Sequence, residues 1–549
     1  MRRVPDVGVI QTIRGWFRRG GEAIMNMATD TKSHPWPPEA EVPRLRRYAR
    51  NERVYRGEHE SVFVGGTGVT KGKRGGRGEF RFQYDDNRDY VTVNLLGAMT
   101  NELSRRMCLE GVEVSAPERL VGTQQFLDAL RATSQLDMLH LLAAQIASYC
   151  GDVLYKVRYD ATLAEIRIEA LNPCIVFPES SPLDNTDVRA VNLGLMLQGP
   201  RDAQDRYLWI ERHELRDGAG WITNRLWHLT GNVTAGYRYD PAQDEVALTA
   251  LAATEALLPE YATGIDELLV TLVHNRPASG LWGQSDYEGL LELQGELNNR
   301  LTQRAEVLDK HTDPWFYGPD LGGEDGEVRM NENKWIVTDP ASSSSAPAGM
   351  IVWDAGLSSA VEAIRDCKES IAAVAGIDTD ALIPQENAGP MSGRALKLRQ
   401  MRTQATVQAK ALAFGAGLQQ VYSLATKLAV AVGSDLGFRA VMPEVNAPQP
   451  GEPAQERQAL DLTLYPLRPA QITITFGDGL PADRAEDIDD QTRMIEAGVQ
   501  SRPRAIEVLH GMNEDDAKAL AAEIQNEATQ GAPSSVPAPG WSGLLPRGT

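Results

Sequence analysis

The sequence is poor in cysteine. Four thiols, Cys108, Cys150, Cys174 and Cys367, are spread over 549 residues, and no two form a CxxC. That spacing excludes a zinc ribbon and argues against a disulfide framework, so reduced and mostly buried thiols are expected. Long apolar runs are missing too: nothing approaches the roughly 18 residues of a membrane span. The start, Met1-Arg-Arg with Arg14, Arg18 and Arg19 soon after, lacks the apolar core of a signal peptide. An intracellular life and a loosely held arm fit this, with a short amphipathic helix over Val9 to Phe17 as the alternative.

Catalytic wording is also lacking. The eight histidines are scattered, there is no HExxH or GxSxG, and His213-Glu214 has no second histidine four residues after the first. The loop from Gly65 to Arg77 superficially resembles a phosphate cradle. It has Thr67 where a P-loop needs glycine, and Arg74 where magnesium needs Ser or Thr. Acid pairs such as Asp489-Asp490 and Asp515-Asp516 lie in polar helical context and read as solvated faces. Neither an enzyme nor a metal or other cofactor is expected. Positive charge is short as well: 55 Lys and Arg stand against 75 Asp and Glu, a net charge of −20. Affinity for DNA phosphates comes largely from counterion release by Lys and Arg, so this chain on average repels DNA. Any contact with nucleic acid has to be local, or has to work by not sticking.

What the chain does have is an order of parts, which reads as α+β. The turn-rich run His34-Pro-Trp-Pro-Pro is an extended lead-in. Residues 46–60 are basic and helix-capable, 64–79 form a basic glycine-rich loop, and 90–107 have a helical period. Residues 138–149 are apolar nearly all round and predict a buried helix. Alternation over 153–159 and 164–171 predicts strands, with more at 191–198, 207–213, 223–230 and 234–239, Gly231-Asn232 marking a hairpin. From Tyr287 to Lys310 the residues Leu290, Leu293, Leu297, Leu301, Ala305 and Leu308 step by three and four. They define one helical face too long for a small domain to cover, with Ser285 or Asp286 as N-cap.

Residues 312–355 change character. Trp315-Phe-Tyr, Val328, Trp335-Ile-Val and Ile351-Val-Trp predict short strands of a small β insertion. Helical spacing resumes with Leu357, Val361, Ile364, Ile371 and Val374. A loop with two prolines and a glycine follows from Asp378 to Met391. A helix from Ser392 to Val432 would span roughly 60 Å, and Gly415 and Gly417 mark the place for a kink. Residues 446–454 are Pro-rich, and Gln471 to Phe476 is a strand. Residues 483–527 are helical, divided near Gly498 and Gly511, and the Pro-, Gly- and Ser-rich tail 528–549 is expected to be disordered. An insertion bracketed by two helices makes a two-helix stalk with a β head, a shape suited to a ring.

Local wording agrees with that order. Gly283-Gln-Ser-Asp-Tyr-Glu288 leading into Leu290-LELQGELNNRLTQ resembles the first stem helix of the siphophage-type bacteriophage portal family. Ser392-Gly-Arg-Ala-Leu-Lys397 resembles that family's start of the long helix after the tunnel loop. Tyr55-Arg-Gly-Glu-His59, Asn94-Leu-Leu, Gly151-Asp-Val-Leu-Tyr155, Glu496-Ala-Gly-Val and Arg504-AIEVLHGMNEDDA are similar to further family segments, in the family's order from about 50 to 527. The resemblance implies a portal-like fold: N-terminal arm 1–45, α/β wing 46–283, first stem helix 284–311, β-rich clip 312–355 and second stem helix 356–377. A tunnel loop 378–391, long kinked wing helix 392–433, closing wing strand 434–482, helical crown 483–527 and the tail complete it.

It further implies a ring of twelve subunits at one capsid vertex, a head-tail connector with double-stranded DNA in its channel. The ring would be assembled in the host cytoplasm for viral genome packaging and ejection. Its partners would be the terminase ATPase, head-completion or adaptor proteins, the major capsid protein and the scaffold, with no membrane. The tunnel loop would present Asp378, Leu382, Ile383, Pro384, Gln385, Glu386, Asn387, Gly389 and Pro390, and the clip would dock partners through Trp315, Trp335 or Trp353. The helix 392–432 carries Arg394, Lys397, Arg399, Arg402, Lys410 and Lys427 and no acid. Its bases, Arg394, Lys397, Arg399 and Arg402 above all, either face the channel or pair with acids of neighbouring subunits. Gln400, Gln404 and Gln408 form a polar stripe for an inter-helix seam or a wet wall. The rival readings are another virion structural protein, or a nucleic-acid-binding protein using loop 64–79, whose aromatics Phe63 and Phe80 only flank its bases.

Overall fold

Why these residues form these elements is clearest where the chain changes direction. The computed structural model describes residues 33–64, 90–109, 111–181, 184–201, 205–232, 236–278, 280–312, 315–318, 335–337, 349–351, 357–382, 398–433, 463–477, 484–510, 512 and 514–530. In the first of two compact units, Met1–Asn387 with Arg399–Gly479, the lead-in is a short strand β1 (His34–Trp36) that runs into helix α1 (Val42–Tyr55). Pro43 falls in the first turn of α1, where a missing N–H costs nothing. Leu45, Tyr48, Asn51 and Val54, three apart, form its buried side.

Next come α2 (Leu95–Cys108), β2 (Val112–Ser115), α3 (Val121–Thr133) and α4 (Leu136–Cys150). Asn94 caps α2 by accepting from the Gly97 N–H at 2.9 Å. Helix α4 buries most of its apolar surface, yet Met138 and Leu142 stand exposed along one edge. It ends at Gly151, whose φ of +105° suits the left-handed C-terminal position.

Strands β3 (Asp152–Asp160), β4 (Glu165–Leu171), β5 (Val176–Ser181), β6 (Asp184–Gln198), β7 (Arg206–Arg216), β8 (Ala219–Asn232), β9 (Gly236–Tyr239), β10 (Glu245–Val246), β11 (Glu260–Ala262) and β12 (Val270–His274) follow. They build two antiparallel sheets. One has the order β12-β3-β4; the other runs β1-β9-β8-β7-β6-β5, with β10 and β11 also pairing with β8. All six predicted strands of this region are present, and Gly231-Asn232 closes β8 before β9. A principal core fills between α1, α2, α4 and the three-stranded sheet, and smaller clusters line the large sheet.

Helix α5 (Leu291–Thr312) and helix α6 (Leu357–Ala375) pack on each other. Between them lie β13 (Trp315–Gly318), β14 (Trp335–Val337) and β15 (Gly349–Ile351). β13 is central, parallel to β14 and antiparallel to β15. A helix-flanked β insertion is therefore present, its third strand ending before Trp353, which with Val328 lies outside the described residues. The turn α7 (Thr379–Leu382) precedes the long helix α8 (Met401–Val432). Strand β16 (Thr473–Phe476) closes the unit by pairing with β2.

Helix α8 runs unbroken through Gly415 and Gly417, and close packing accounts for both glycines. A Cβ on Gly417 would lie 2.7 Å from the Val273 side chain, and one on Gly415 would lie 3.2 Å from the Phe476 ring. The second unit, Ala388–Leu398 with Leu480–Thr549, holds α9 (Arg484–Glu496), α10 (Arg502–His510) and α11 (Glu514–Gln530). The break at Gly498, with φ +66°, falls where the sequence put it, and α11 extends three residues into the expected tail. Cys108, Cys150 and Cys174 are buried and Cys367 is half-buried, all unpaired. Burial pushes the Cys108 and Cys174 thiols up to about 12. Loop 65–79, with its flanking Phe80, lies outside the described residues.

Candidate functional site

The segments singled out by their wording meet in space. Helix α5 does more than bury leucines. Gln294, Asn298 and Thr302, four apart, are buried along it and address the backbone ahead of α2. The Gln294 amide donates to the Val93 carbonyl at 2.8 Å and its oxygen accepts from Leu96 N at 3.2 Å. Val93 N donates to Asn298 Oδ1 at 3.3 Å, and Val91 N to Thr302 Oγ1 at 3.0 Å. An extended segment with no strand beside it thus has its polar groups satisfied by one helix face.

His59 closes this ladder. Asn298 Nδ2 donates to His59 Nδ1 at 2.9 Å, while His59 Nε2 faces the Val54 carbonyl at 3.2 Å and Asn94 Oδ1 at 3.3 Å. That arrangement assigns the proton to Nε2 of a neutral ring. Burial, outweighing these hydrogen bonds, keeps its pKa below the ordinary histidine value. Asn94 Nδ2 also donates to the Tyr55 carbonyl at 2.8 Å. Tyr55-Arg-Gly-Glu-His59, Asn94-Leu-Leu and α5 are one interlocked contact.

A second cluster joins Gly151-Asp152 to Gly283-Gln-Ser-Asp286. Gly283 N donates to Asp152 Oδ1 at 2.7 Å, His274 Nδ1 lies 2.7 Å from the same oxygen, and Tyr48 donates to Oδ2 at 2.9 Å. The two glycines fit because neither has a side chain. A Cβ on Gly283 would lie 2.5 Å from the Gly151 carbonyl, and one on Gly151 would lie 2.8 Å from the Gly283 carbonyl. Ser285 and Asp286 do not cap α5, which begins five residues after Asp286; both face inward, where the backbone needs partners more. Ser285 Oγ donates to the carbonyls of Ser148 and Tyr149 at the end of α4.

Asp286 accepts from Ser148 Oγ at 2.7 Å and Asn275 Nδ2 at 2.9 Å, and pairs with buried Lys410 of α8. Burial alone would raise the Asp286 carboxyl. Lys410, Ser148 and Arg276 together outweigh it and hold the group below its ordinary value.

The third contact ties the start of α8 to the end of α6. Thr403 N donates to Asp378 Oδ2 at 2.9 Å, and Asp378 N donates to Thr403 Oγ1 at 2.8 Å. Arg402 donates to the Ala373 carbonyl, and Thr406 to the Gly376 carbonyl at 2.6 Å. Carbonyls that the end of a helix leaves unpaired are thereby satisfied. Arg399 pairs with Asp380, Lys427 with Glu267, and Arg106 donates to Gln400 Oε1 at 2.8 Å.

Of the bases of the acid-free helix, Arg399, Lys410 and Lys427 thus have acids within their own chain. Of the expected tunnel loop, Asp378 and a half-buried Leu382 are placed. Ile383, Pro384, Gln385, Glu386, Asn387, Gly389 and Pro390, together with Arg394 and Lys397, lie outside the described residues. Trp315 and Trp335 are placed by their strands alone.

The leucine stripe also turns out differently from its expectation. Leu290, Leu297 and Leu301 are covered by the chain's own core, and Leu308 alone of the six stands out as a large exposed side chain. The buried polar ladder Gln294-Asn298-Thr302 went unread, although its spacing of four was visible.

Among the described residues no group of three His, Cys, Asp or Glu could hold a metal ion, and no helix is long and apolar enough to cross a membrane. Residues 265–530 match the family described as Phage portal protein, SPP1 Gp6-like. That stretch, just under half of the chain, is similar to the phage portal family. The match begins before the Gly283-to-Asp286 cluster and runs through α5, the insertion, α6, α8 and the helices α9 to α11. No curated protein matches the chain. Among solved structures, a chain of the neck of a native GTA particle, computed with C12 symmetry, is 12% identical with a TM-score of 0.36. The similarity covers 76% of this chain and 89% of that one.

Proposed function

We propose that this protein is a phage portal protein, the subunit of a ring-shaped channel at one capsid vertex, through which double-stranded DNA is packaged and later ejected. In this reading α5 and α6 are the stem, the β13–β15 insertion is the clip, and α9 to α11 are the crown. The carrying observation is that the family match of residues 265–530 spans the helix–insertion–helix unit whose ends are latched to the wing through Asp286–Lys410 and Asp378–Thr403. Terminase, and afterwards head-completion proteins, would dock on the insertion, while the major capsid protein and scaffold would meet the outer wing. In this reading the chain carries out no catalysis: among the described residues the buried carboxylates Asp152, Glu211 and Asp286 are taken up by cations, histidines, hydroxyls or backbone groups.

Electron microscopy and native mass spectrometry of the purified protein test the ring. Closed homo-oligomers are expected, and monomers alone across protein and salt concentrations would refute the reading. Replacing 316–352 by a short linker is expected to leave rings intact and abolish terminase binding; unchanged binding would remove the docking role from the insertion.

A further inference from the structure

We propose that the outward face of α8 is a seam against a second copy of this chain. The inference rests on the ring reading and adds to it which surface meets the neighbour. The helix buries Val407, Lys410, Phe414, Leu418 and Val421 on one side. Its opposite side presents Met401, Ala405, Ala409, Leu412 and Ala416, all exposed. Met401 is 61% and Leu412 80% exposed, a large apolar surface to leave in water. The face runs about 22 Å along the axis at ~1.5 Å per residue. Its three alanines let another helix come close to the 8–10 Å typical of packed pairs.

Charge selects the occupant. Each copy carries a net charge of −20, so two copies repel over most of their surfaces. Between Asn387 and Gly433 the sequence contains no Asp or Glu, and the exposed Arg402 borders the stripe. A second acidic copy therefore approaches this stretch without meeting a carboxylate of the helix itself. The outward side of α6 is different: Glu362, Arg365 and Asp366 give it a mixed, hydrated character. A stable interface covers about 800 Å² on each partner, so the α8 stripe is the apolar centre of a contact extending beyond it.

Leu412→Glu tests the seam, with Leu412→Met as the conservative control and a photo-crosslinking residue at 412 as an independent arm. Wild-type and Leu412→Met chains are expected to form rings. Leu412→Glu should need at least tenfold more protein to do so, with unchanged circular dichroism and thermal unfolding because the side chain is exposed. The crosslinker should yield covalent dimers of this chain.

If the wild type forms rings but Leu412→Glu assembles equally well and no dimer is trapped, the seam is refuted and the ring reading stands. If the wild type never forms rings, both fall. If Leu412→Glu misfolds, the crosslinking arm decides. A cysteine at 412 that reacts with thiol reagents as fast in the ring as in the monomer would instead place the stripe on an open wall and overturn the proposal.

Discussion

Helices α5 and α8 are both long, and they hide opposite things. α5 buries a ladder of neutral amides and a hydroxyl beside its leucines. α8 buries a lysine and leaves a leucine almost wholly in water. In α5 every buried polar group reaches backbone or side-chain partners around the start of α2, so the helix is held by many modest hydrogen bonds. In α8 one ion pair, Lys410 with Asp286, carries the polar connection to the Gly283-to-Asp286 cluster. A distributed attachment tolerates the loss of a member, whereas a concentrated one does not.

The sharpest way to break this contrast is to remove the cation. Lys410→Met leaves the buried Asp286 carboxylate with only the more distant Arg276, 3.4 Å away, as counter-charge, and a loss of about 3–5 kcal/mol is expected in chemical denaturation. Adding Asp286→Asn should recover more than half of that loss, since the neutral amide no longer needs the charge. A single-variant loss below about 1 kcal/mol would show that the pair is not the concentrated attachment described.

The next effect is pH dependence, and it also belongs to α8. His140 of α4 lies between two hydroxyls, with Nδ1 2.8 Å from Tyr155 and Nε2 2.9 Å from Tyr422 of α8. Burial lowers its pKa from 6.5 to about 4, with Arg131 adding to the fall and Asp137 opposing it. The unfolded imidazole therefore takes a proton at a pH where the folded one remains neutral. Stability from this site is complete above pH 6.5 and is lost as pH falls toward 4, by about 3 kcal/mol. His140→Gln should flatten that part of the stability–pH curve; an unchanged slope would assign it to other groups.

For α5 the expectation is smaller. Asn298→Ala unpairs His59 Nδ1 and the Val93 N–H and removes one acceptor of the Gln294 amide, while Gln294 and Thr302 keep their contacts to the backbone ahead of α2, so a loss of about 1–3 kcal/mol is expected in the same denaturation experiment. If this change cost as much as Lys410→Met, the distinction between distributed and concentrated attachment would fail.

Much of this was legible beforehand, and what was not has a common cause. Periodicity along 287–310, alternation over 153–171 and the wording of Gly283-Gln-Ser-Asp each announced an element correctly, because local spacing decides local structure. Partners do not announce themselves. Gln294 and Val93 are 201 residues apart, Lys410 and Asp286 are 124 apart, and nothing near either residue names the other. The acid-free composition of α8 suggested bases facing DNA or neighbours. The fold instead brings Asp286, Glu267 and Asp380 to Lys410, Lys427 and Arg399 from distant segments. Ser285 looked like an N-cap because caps are the commonest use of serine before an apolar helix. The carbonyls at the end of α4 competed for its hydroxyl and won.

The smallest expected effect sharpens the comparison within α8's own segment. Arg399 pairs with Asp380 near solvent, where water screens the attraction and two long side chains lose freedom to hold it. Arg399→Ala is expected to cost no more than about 1 kcal/mol, and less in high salt, measured by denaturation beside Lys410→Met. The two substitutions each remove one positive charge from the same acid-free stretch, so a difference of several-fold isolates burial as the cause. Equal losses would mean that the Asp378–Asp380 turn is as critical a joint as the Asp286 latch. Weight would then move from the Asp286 cluster toward the turn that follows α6.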